Sequence, residues 1–150
     1  MLLHFTYEWS GYNKIVGYFS AVNESTWEHL KLLFIPVSLF SLVQWIFERK
    51  EHPEFLLSRT VSLIVGMLWI TSAFYTISGI IGKTDISAVN IAIFVIGVII
   101  TFLLTEIIMK FIFNAPWYSD IIAIVLIIIF ALLFAVWTYD PPTIGLFEVP

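Results

Sequence analysis

Four long apolar runs, separated by short polar turns, dominate the pattern of hydrophobic and polar positions along this chain. Each run has about the 20 residues that an α-helix needs to cross a lipid bilayer. The runs do not alternate between polar and apolar residues, so helices are favoured over the strands of a membrane barrel. The pattern predicts four membrane-spanning helices, at His29–Phe47, Phe55–Ile81, Val89–Phe113 and Ile121–Thr138.

The first twenty residues form a fifth, partial element. The stretch Leu2–Ser20 is too polar at Glu8–Lys14 to cross a membrane alone, so it is expected to lie at the interface or to complete a fifth helix. The chain begins as if partway through a helix, which favours truncation at its N-terminus. We expect one all-α transmembrane domain over residues 1–150, a five-helix bundle of four spans and this segment.

Composition supports lipid as the solvent for most of the chain. Hydrophobic residues make up 60% of the sequence and charged residues only 12%, against about 45–50% and 25% in soluble domains. A net charge of −4 without a basic patch argues against nucleic acid as a partner. The chain has no cysteine, which excludes disulfides and thiolate metal sites.

The distribution of lysine and arginine predicts the orientation in the membrane. Basic residues are commoner in short cytoplasmic loops. Arg49, Lys50, Arg59 and Lys110 fall on one face of the predicted bundle, and Lys14, Lys31 and Lys83 fall on the other. We therefore expect a multipass protein of the cell membrane in which the N-terminal segment and the tail from Tyr139 share the outer face.

Small residues recur every four positions on two of the predicted helices. Ser62/Gly66 and Ser72/Thr76 lie on the second span, and Gly97/Thr101/Thr105 lie on the third. Such spacing stacks small side chains on one helix face and lets two backbones approach closely. Packing within the chain is the simplest interpretation. Self-association into a homo-oligomer and a substrate path along the small residues are the alternatives.

Polar residues crowd the start of the first span, in the segment Asn23–Lys31. Ser25 and Glu28 have the spacing of a capping box. A cap does not require Glu24 or His29, so these two residues are left over for another role. Together with the neighbouring acid Glu28, they are the candidate catalytic residues. Glu24 and Glu28 are expected to share one helix face, with a cation or Lys31 offsetting their repulsion.

A metal site is a second interpretation of the same region. His4 and Glu8 repeat the four-residue spacing, and Asp140 ends the last span. Imidazole and carboxylate ligands suit a divalent metal such as Zn²⁺, or Mn²⁺ where oxygen ligands prevail. The candidate ligands are His4, Glu8, Glu28, His29 and Asp140.

Glu106 is an ionisable residue near the end of the third span, which makes it a functional candidate because burying a charge is costly. Lys110 follows four residues later, in the order that favours an ion pair on a helix. We expect this pair to account for Glu106, with a role in proton transfer as the alternative.

Both ends of the chain carry sequence that resembles a known family. The matching stretches are His4–Gly11, Phe19–Phe34 with Pro36, Thr138–Pro142 and Gly145–Phe147. They are similar to small multipass membrane proteins of clostridial-type bacteria, a family of unknown function. The resemblance implies a complete hydrophobic helix before His4 and supplies no activity. Acids and histidines at the mouths of spans also resemble membrane metal-hydrolases of the alkaline ceramidase type, whose further histidine motifs are absent here.

The sequence leaves the class of function open. One hypothesis is a membrane-embedded, metal-dependent hydrolase of a lipid or small amphiphile, with Glu24, Glu28, His29 and His4 at its centre. The other is a transporter-like or accessory subunit whose outer mouth binds a cation or a partner. Both share a polar binding site at the outer mouth of the bundle.

Overall fold

The chain folds as an all-helical bundle in the computed structural model, which describes residues 2–84, 86–112 and 115–149, with the side chains of residues 2–4 left out. Four of the described helices are long and apolar enough to cross a membrane. They are α3 (Thr26–Glu48), α4 (Phe55–Ile81), α5 (Ser87–Phe111) and α6 (Tyr118–Tyr139), preceded by two short helices, α1 (Leu2–Trp9) and α2 (Lys14–Gly17).

The four predicted helices are confirmed as long, apolar helices that could span a membrane, with ends that differ by a few residues. The predicted end of the third span at Phe113 lies outside the described residues. The partial element Leu2–Ser20 is divided between α1 and α2 at Ser10–Asn13, where Gly11 and Tyr12 adopt positive φ angles of 69° and 62°. A short 3₁₀ turn, Gly145–Phe147, follows α6 in the C-terminal tail.

Helix α4 is the centre of the bundle, since it packs against α3, α5 and α6. Its contact with α5 is the most extensive and uses the predicted small residues. A Cβ atom added at Gly66 would collide with the Thr101 hydroxyl, and one added at Gly97 would meet the Ile70 side chain. Packing within the chain therefore accounts for these two faces. Ser72 and Thr76 are exposed and do not belong to this contact.

Several hydroxyl groups within the spans are satisfied by their own helices. Thr60, Ser62, Thr101 and Thr105 each donate a hydrogen bond of 2.7–2.9 Å to the carbonyl four residues earlier. Such a bond lets a polar side chain lie in hydrocarbon, where water is absent. The small polar residues of α4 and α5 thus combine close packing with hydrogen bonding inside one helix.

We call the end of the bundle with the starts of α3 and α5 the upper end, and the opposite end the lower end. Short helices α1 and α2, the loop Phe19–Ser25 and the C-terminal tail all gather at the upper end. The tail is held there by aromatic contacts, because the Trp27 ring lies 5.0 Å from the Phe147 ring and 4.4 Å from the Phe134 ring. The Tyr75 hydroxyl also donates to the Gly145 carbonyl at 2.8 Å.

Candidate functional site

Helix α3 begins with half of the predicted capping box. Ser25 is the N-cap, and its hydroxyl accepts a 3.4 Å hydrogen bond from the Glu28 amide. The Ser25 amide donates at 2.9 Å to the Asn23 side-chain oxygen, where a complete capping box would have the Glu28 carboxylate as the acceptor. The Glu28 carboxylate is therefore released from capping. Glu24 precedes the helix, so the expectation that Glu24 and Glu28 share a helix face is wrong.

The Glu28 carboxylate instead forms a buried ion pair with Lys31. Its Oε2 atom lies 2.6 Å from the Lys31 ammonium, and the two side chains are 2% and 0% exposed. The same oxygen accepts a 2.9 Å bond from the Val22 amide in the loop above. Residues three apart on a helix are neighbours, which explains how the pair forms locally.

Helix α6 and α2 complete the surroundings of this pair. Lys31 donates at 2.8 Å to the Thr138 hydroxyl and at 2.9 Å to the Gly17 carbonyl. Thr138 Oγ1 lies 3.1 Å from the second Glu28 oxygen, but its single proton has a closer acceptor in the Phe134 carbonyl at 2.6 Å. All three ammonium hydrogens thus have acceptors. We name Glu28, Lys31, Thr138, the Gly17 carbonyl and the Val22 amide the Glu28–Lys31 clasp.

The clasp changes what Glu28 can do chemically. The Oε2 atom of Glu28 is engaged by an ammonium and an amide, and the side chain is buried, so a metal or a substrate proton would have to displace these contacts to reach it. Breaking a buried pair by removing one partner is costly, typically about 3–5 kcal/mol. Stabilisation of the upper end is therefore the role that these contacts support, and catalysis or metal binding by Glu28 stays a prediction.

His29 and Glu24 form a separate and more accessible pair. The His29 Nδ1 atom lies 2.9 Å from the Ser25 carbonyl, so it must carry the proton and donate. The Nε2 atom lies 3.5 Å from Glu24 Oε2, and the two side chains are 37% and 62% exposed. This arrangement fixes the orientation of the imidazole and directs its other nitrogen toward an acid.

The predicted metal ligands do not converge in the described part of the chain. No group of three or more histidine, aspartate or glutamate side chains capable of holding a metal occurs there. Glu8 and Asp140 are both exposed, and Glu28 is held in the clasp. The side chain of His4 lies outside the described residues, so a metal site that uses it stays a prediction.

The upper end contains a cavity of about 320 Å³ between α3, α4 and α5, which we call the upper cavity. Its polar lining, Glu24, Thr26, His29, Thr84, Ser87 and Asn90, lies at helix ends and in a turn. Its apolar lining, Ile70, Phe74, Ile93, Phe94 and Val149, comes mainly from one or more turns inside α4 and α5. The upper cavity therefore has a polar rim and an apolar floor.

A second cavity of about 330 Å³, which we call the N-terminal cavity, lies beside the first. Aromatic and acidic side chains line it, notably Phe5, Tyr7, Tyr12, Glu8 and Glu24. Glu24 and Val149 line both cavities. Glu24 thus lies where the two spaces meet.

Sequence reasoning missed two parts of this site. The roles of Thr138 and Gly17 in the clasp depend on contacts between distant segments, which no local spacing predicts. The apolar floor of the upper cavity also escaped notice, because Ile70, Phe74 and Phe94 look like ordinary span residues. The two tryptophans Trp27 and Trp137, whose ring centres lie 5.2 Å apart, were the sequence signal that α3 and α6 meet at the upper end.

Glu106 and Lys110 do not form the predicted ion pair. Both residues are exposed, and no ion pair within 4.0 Å joins them. The expectation that this pair accounts for Glu106 is therefore wrong. At the same end of the bundle, His52 Nδ1 approaches Glu54 Oε1 at 3.3 Å.

Comparison with known proteins identifies the family and no activity. The model of the Family of unknown function (DUF6512) matches residues 1–149, so the chain belongs to that family. Searches of the curated proteins and of the solved structures found no match.

Proposed function

We propose that this member of a family of unknown function is a multipass protein of a bacterial cell membrane that binds an amphiphile with a cationic headgroup at its upper end. The observation that carries the proposal is the upper cavity, with an ionisable rim above an apolar floor. Ligand sites commonly combine an apolar lining with a few placed polar groups.

The acid at the junction of the two cavities favours a positively charged headgroup. Glu24 offers a carboxylate to an ammonium group, and the N-terminal cavity adds Glu8 and three aromatic rings beside it. Aromatic faces attract organic cations through their quadrupoles, as in sites for quaternary ammonium groups. A headgroup at Glu24 would leave its first carbons to lie against Phe74 and Phe94 in the upper cavity.

The size of the upper cavity limits how much of the ligand it holds. At about 320 Å³ it is near the lower end of small-molecule sites, which span about 300–1,000 Å³. The cavity therefore suits a headgroup and a short length of chain, with the rest of the chain in the bilayer. Binding of this kind requires no metal and no chemical step.

Titration of the purified protein in nanodiscs with dodecyltrimethylammonium tests the proposal, with dodecyl maltoside as the uncharged probe of equal chain length. We expect saturable quenching of tryptophan fluorescence by the cationic probe alone. Glu24→Gln should weaken binding about tenfold, because it removes the attraction between a carboxylate and the quaternary ammonium charge, which is about 1–4 kcal/mol at about 4 Å near a protein surface. Glu51→Gln, an exposed acid at the lower end, is the matched control. Equal binding of both probes would overturn the proposal.

An enzymatic role for the same end rests on the His29–Glu24 pair. With Nδ1 donating to the Ser25 carbonyl, Nε2 is the nitrogen that would serve as a base or as a ligand to Zn²⁺. Metal analysis of protein purified without chelator tests this second candidate. About one metal ion per chain, lost in His29→Ala, supports a metal-dependent hydrolase of a lipid or amphiphile. Folded, metal-free wild-type protein argues against it.

A further inference from the structure

Arg59 is a buried cation at the lower end whose hydrogen-bonding capacity is not used. The residue is 5% exposed, and its Nε and Nη1 atoms are buried without a hydrogen-bond partner among the described residues. An unsatisfied charged group in a buried position is expensive. The contrast with Lys31, whose three hydrogens all have acceptors at the upper end, is therefore informative.

Two aromatic rings hold the guanidinium in place. Its central carbon lies 4.3 Å from the centre of the Phe102 ring and 5.3 Å from that of Phe55. Phe55 is 3% exposed and belongs to the core, whereas Phe102 is 36% exposed on the surface of α5. Stacking on aromatic faces stabilises the charge but satisfies none of the N–H donors. Movement of the exposed Phe102 ring would uncover those donors.

The depth of Arg59 matches the headgroup region of one leaflet. Helix α4 has 27 residues, and Arg59 follows its first residue by four positions, or about 6 Å at 1.5 Å per residue. About 20 residues of a helix cross the hydrocarbon core, which leaves roughly one turn at each end in the headgroup region. The guanidinium thus lies at the boundary where lipid phosphates are found.

The acids that interact electrostatically with Arg59 do not form an ion pair with it. Glu106 and Glu48 both interact electrostatically with it, yet neither lies within 4.0 Å as an ion pair. Other buried polar atoms without partners also lie in the lower half of the bundle, on Gln44, Trp45, Ser58 and Asp120. At the upper end, Trp27 Nε1 is the corresponding buried atom without a partner among the described residues, so most of these atoms lie in the lower half.

We infer that Arg59 and the adjoining surface of α5 form a binding site for a phosphate group, the headgroup of a phospholipid in the leaflet at the lower end. A guanidinium presents paired N–H donors that match phosphate oxygens, and such charge-assisted bonds are the strong ones. Phe102 covers the site when the phosphate is absent. This site is independent of the upper cavity.

Wild-type protein tests the inference without any variant. Purified protein in detergent is mixed with phosphatidic acid or with diacylglycerol of the same chains, and thermal unfolding and lipid retention in native mass spectrometry are measured. We expect retention and stabilisation by phosphatidic acid alone. Inorganic phosphate is the third arm, and stabilisation by it alone supports the phosphate chemistry with a soluble source. Equal effects of phosphatidic acid and diacylglycerol overturn the inference.

Variants then assign the effect to Arg59. Arg59→Gln should reduce retention of phosphatidic acid at least about tenfold, while Arg49→Gln should not. Arg49 is the matched control because it also stacks on an aromatic ring at the lower end, that of Trp45 at 5.4 Å, but is exposed. Glu106→Gln tests the alternative that Glu106, and no phosphate, is the partner of Arg59. If Glu106→Gln retains phosphatidic acid as well as the wild type or better, the result supports a phosphate ligand at Arg59. If Glu106→Gln lowers the stability and no variant changes the retention of phosphatidic acid, Glu106 is the partner of Arg59 and the inference is overturned.

Discussion

At the scale of single residues, the Glu28–Lys31 clasp is the most consequential feature of the molecule. Burying two charges costs several kcal/mol each, and the mutual attraction repays this only when the remaining donors and acceptors are satisfied. Here Thr138, the Gly17 carbonyl and the Val22 amide supply those bonds. The clasp therefore joins α2, α3, α6 and the loop before α3 through one polar network.

Removal of one charge from the clasp should be more harmful than removal of both. Glu28→Gln is expected to lower the free energy of unfolding by about 3–5 kcal/mol, because it leaves the Lys31 ammonium buried without its counter-ion. The double variant Glu28→Gln/Lys31→Met should lose less than Glu28→Gln alone. Reversible unfolding in mild detergent measures each value and gives the coupling between the two residues.

Glu51→Gln serves as the control for that series, since Glu51 is exposed. It should change the free energy of unfolding by less than about 0.5 kcal/mol. A cost for Glu28→Gln no greater than that of Glu51→Gln would mean that the clasp contributes nothing to stability.

The cap of α3 could be predicted from the sequence, whereas the contacts of the clasp with α6 could not. Ser25 was correctly predicted as a cap because capping depends on residues three apart. Thr138 lies 107 positions from Lys31, so its contact depends on how α6 packs, which periodicity does not encode. Glu28 was predicted to complete the cap and to have Lys31 as a possible counter-ion, and its contact with the Val22 amide was not foreseen.

At the scale of elements, the pairing of α4 with α5 depends on the absence of a side chain at Gly66. A methyl group there would overlap the Thr101 hydroxyl, which is itself fixed by a 2.9 Å bond to the Gly97 carbonyl. The neighbour therefore cannot yield without losing its hydrogen bond. Van der Waals contact of this kind is a main source of helix association in lipid.

Gly66→Ala is accordingly expected to destabilise the protein by about 1–3 kcal/mol, the usual cost of overpacking. Gly79→Ala is the matched control on the same helix, because nothing lies within 4 Å of an added Cβ there. The control should be neutral or stabilising by up to about 1 kcal/mol. Unfolding in mild detergent measures both, and equal effects would contradict this account of the α4–α5 contact.

The short helix α2 is held over the upper end by an equally close approach. A Cβ atom at Gly17 would collide with the Tyr139 hydroxyl, which donates at 2.8 Å to the Lys14 carbonyl. Gly17→Ala should therefore detach α2 and speed limited proteolysis of the N-terminal segment severalfold.

Tyr139→Phe provides the internal check on that prediction, because it removes the oxygen that an alanine at position 17 would strike. The double variant should be cleaved more slowly than Gly17→Ala alone. If the double variant is cleaved as fast as Gly17→Ala or faster, the alanine at position 17 collides mainly with Val22 or Tyr7. Atoms of these residues lie 2.9 and 3.1 Å from the added Cβ.

The helices themselves were predictable because hydropathy depends on local composition alone. The predicted start of α3 at His29 was three residues late, since the buried Thr26, Trp27 and Glu28 look like polar interface on hydropathy. The ion pair expected of Glu106 and Lys110 failed because spacing permits a contact without requiring it. Exposed pairs of this type contribute only about 0.3–0.5 kcal/mol, too little to fix two long side chains.

At the scale of the whole molecule, four crossings would place the start of α3 and the end of α6 on the same side of a membrane. The loop between α3 and α4 then lies on the opposite side. The richer supply of lysine and arginine near that loop favours the cytoplasm for the lower end.

The lack of cysteine allows a direct test of this topology. Single cysteines are introduced at the exposed positions Lys83, Thr143 and Lys50 and labelled in intact cells with an impermeant maleimide. We expect labelling of Lys83→Cys and Thr143→Cys without permeabilisation and of Lys50→Cys only after it. The reverse pattern would invert the orientation, and different labelling of positions 83 and 143 would refute four crossings.

The Glu28–Lys31 clasp also has a consequence for biosynthesis. Thr138 is made 107 residues after Lys31, roughly 5–20 seconds later at bacterial and eukaryotic rates of translation. During that interval α3 must enter the membrane with two ionisable side chains, before α6 has been synthesised and can contact them. Their spacing of three residues lets each neutralise the other within the nascent helix. A variant that keeps only one of the two charges should therefore insert less efficiently than the wild type, in addition to being less stable once the bundle has assembled.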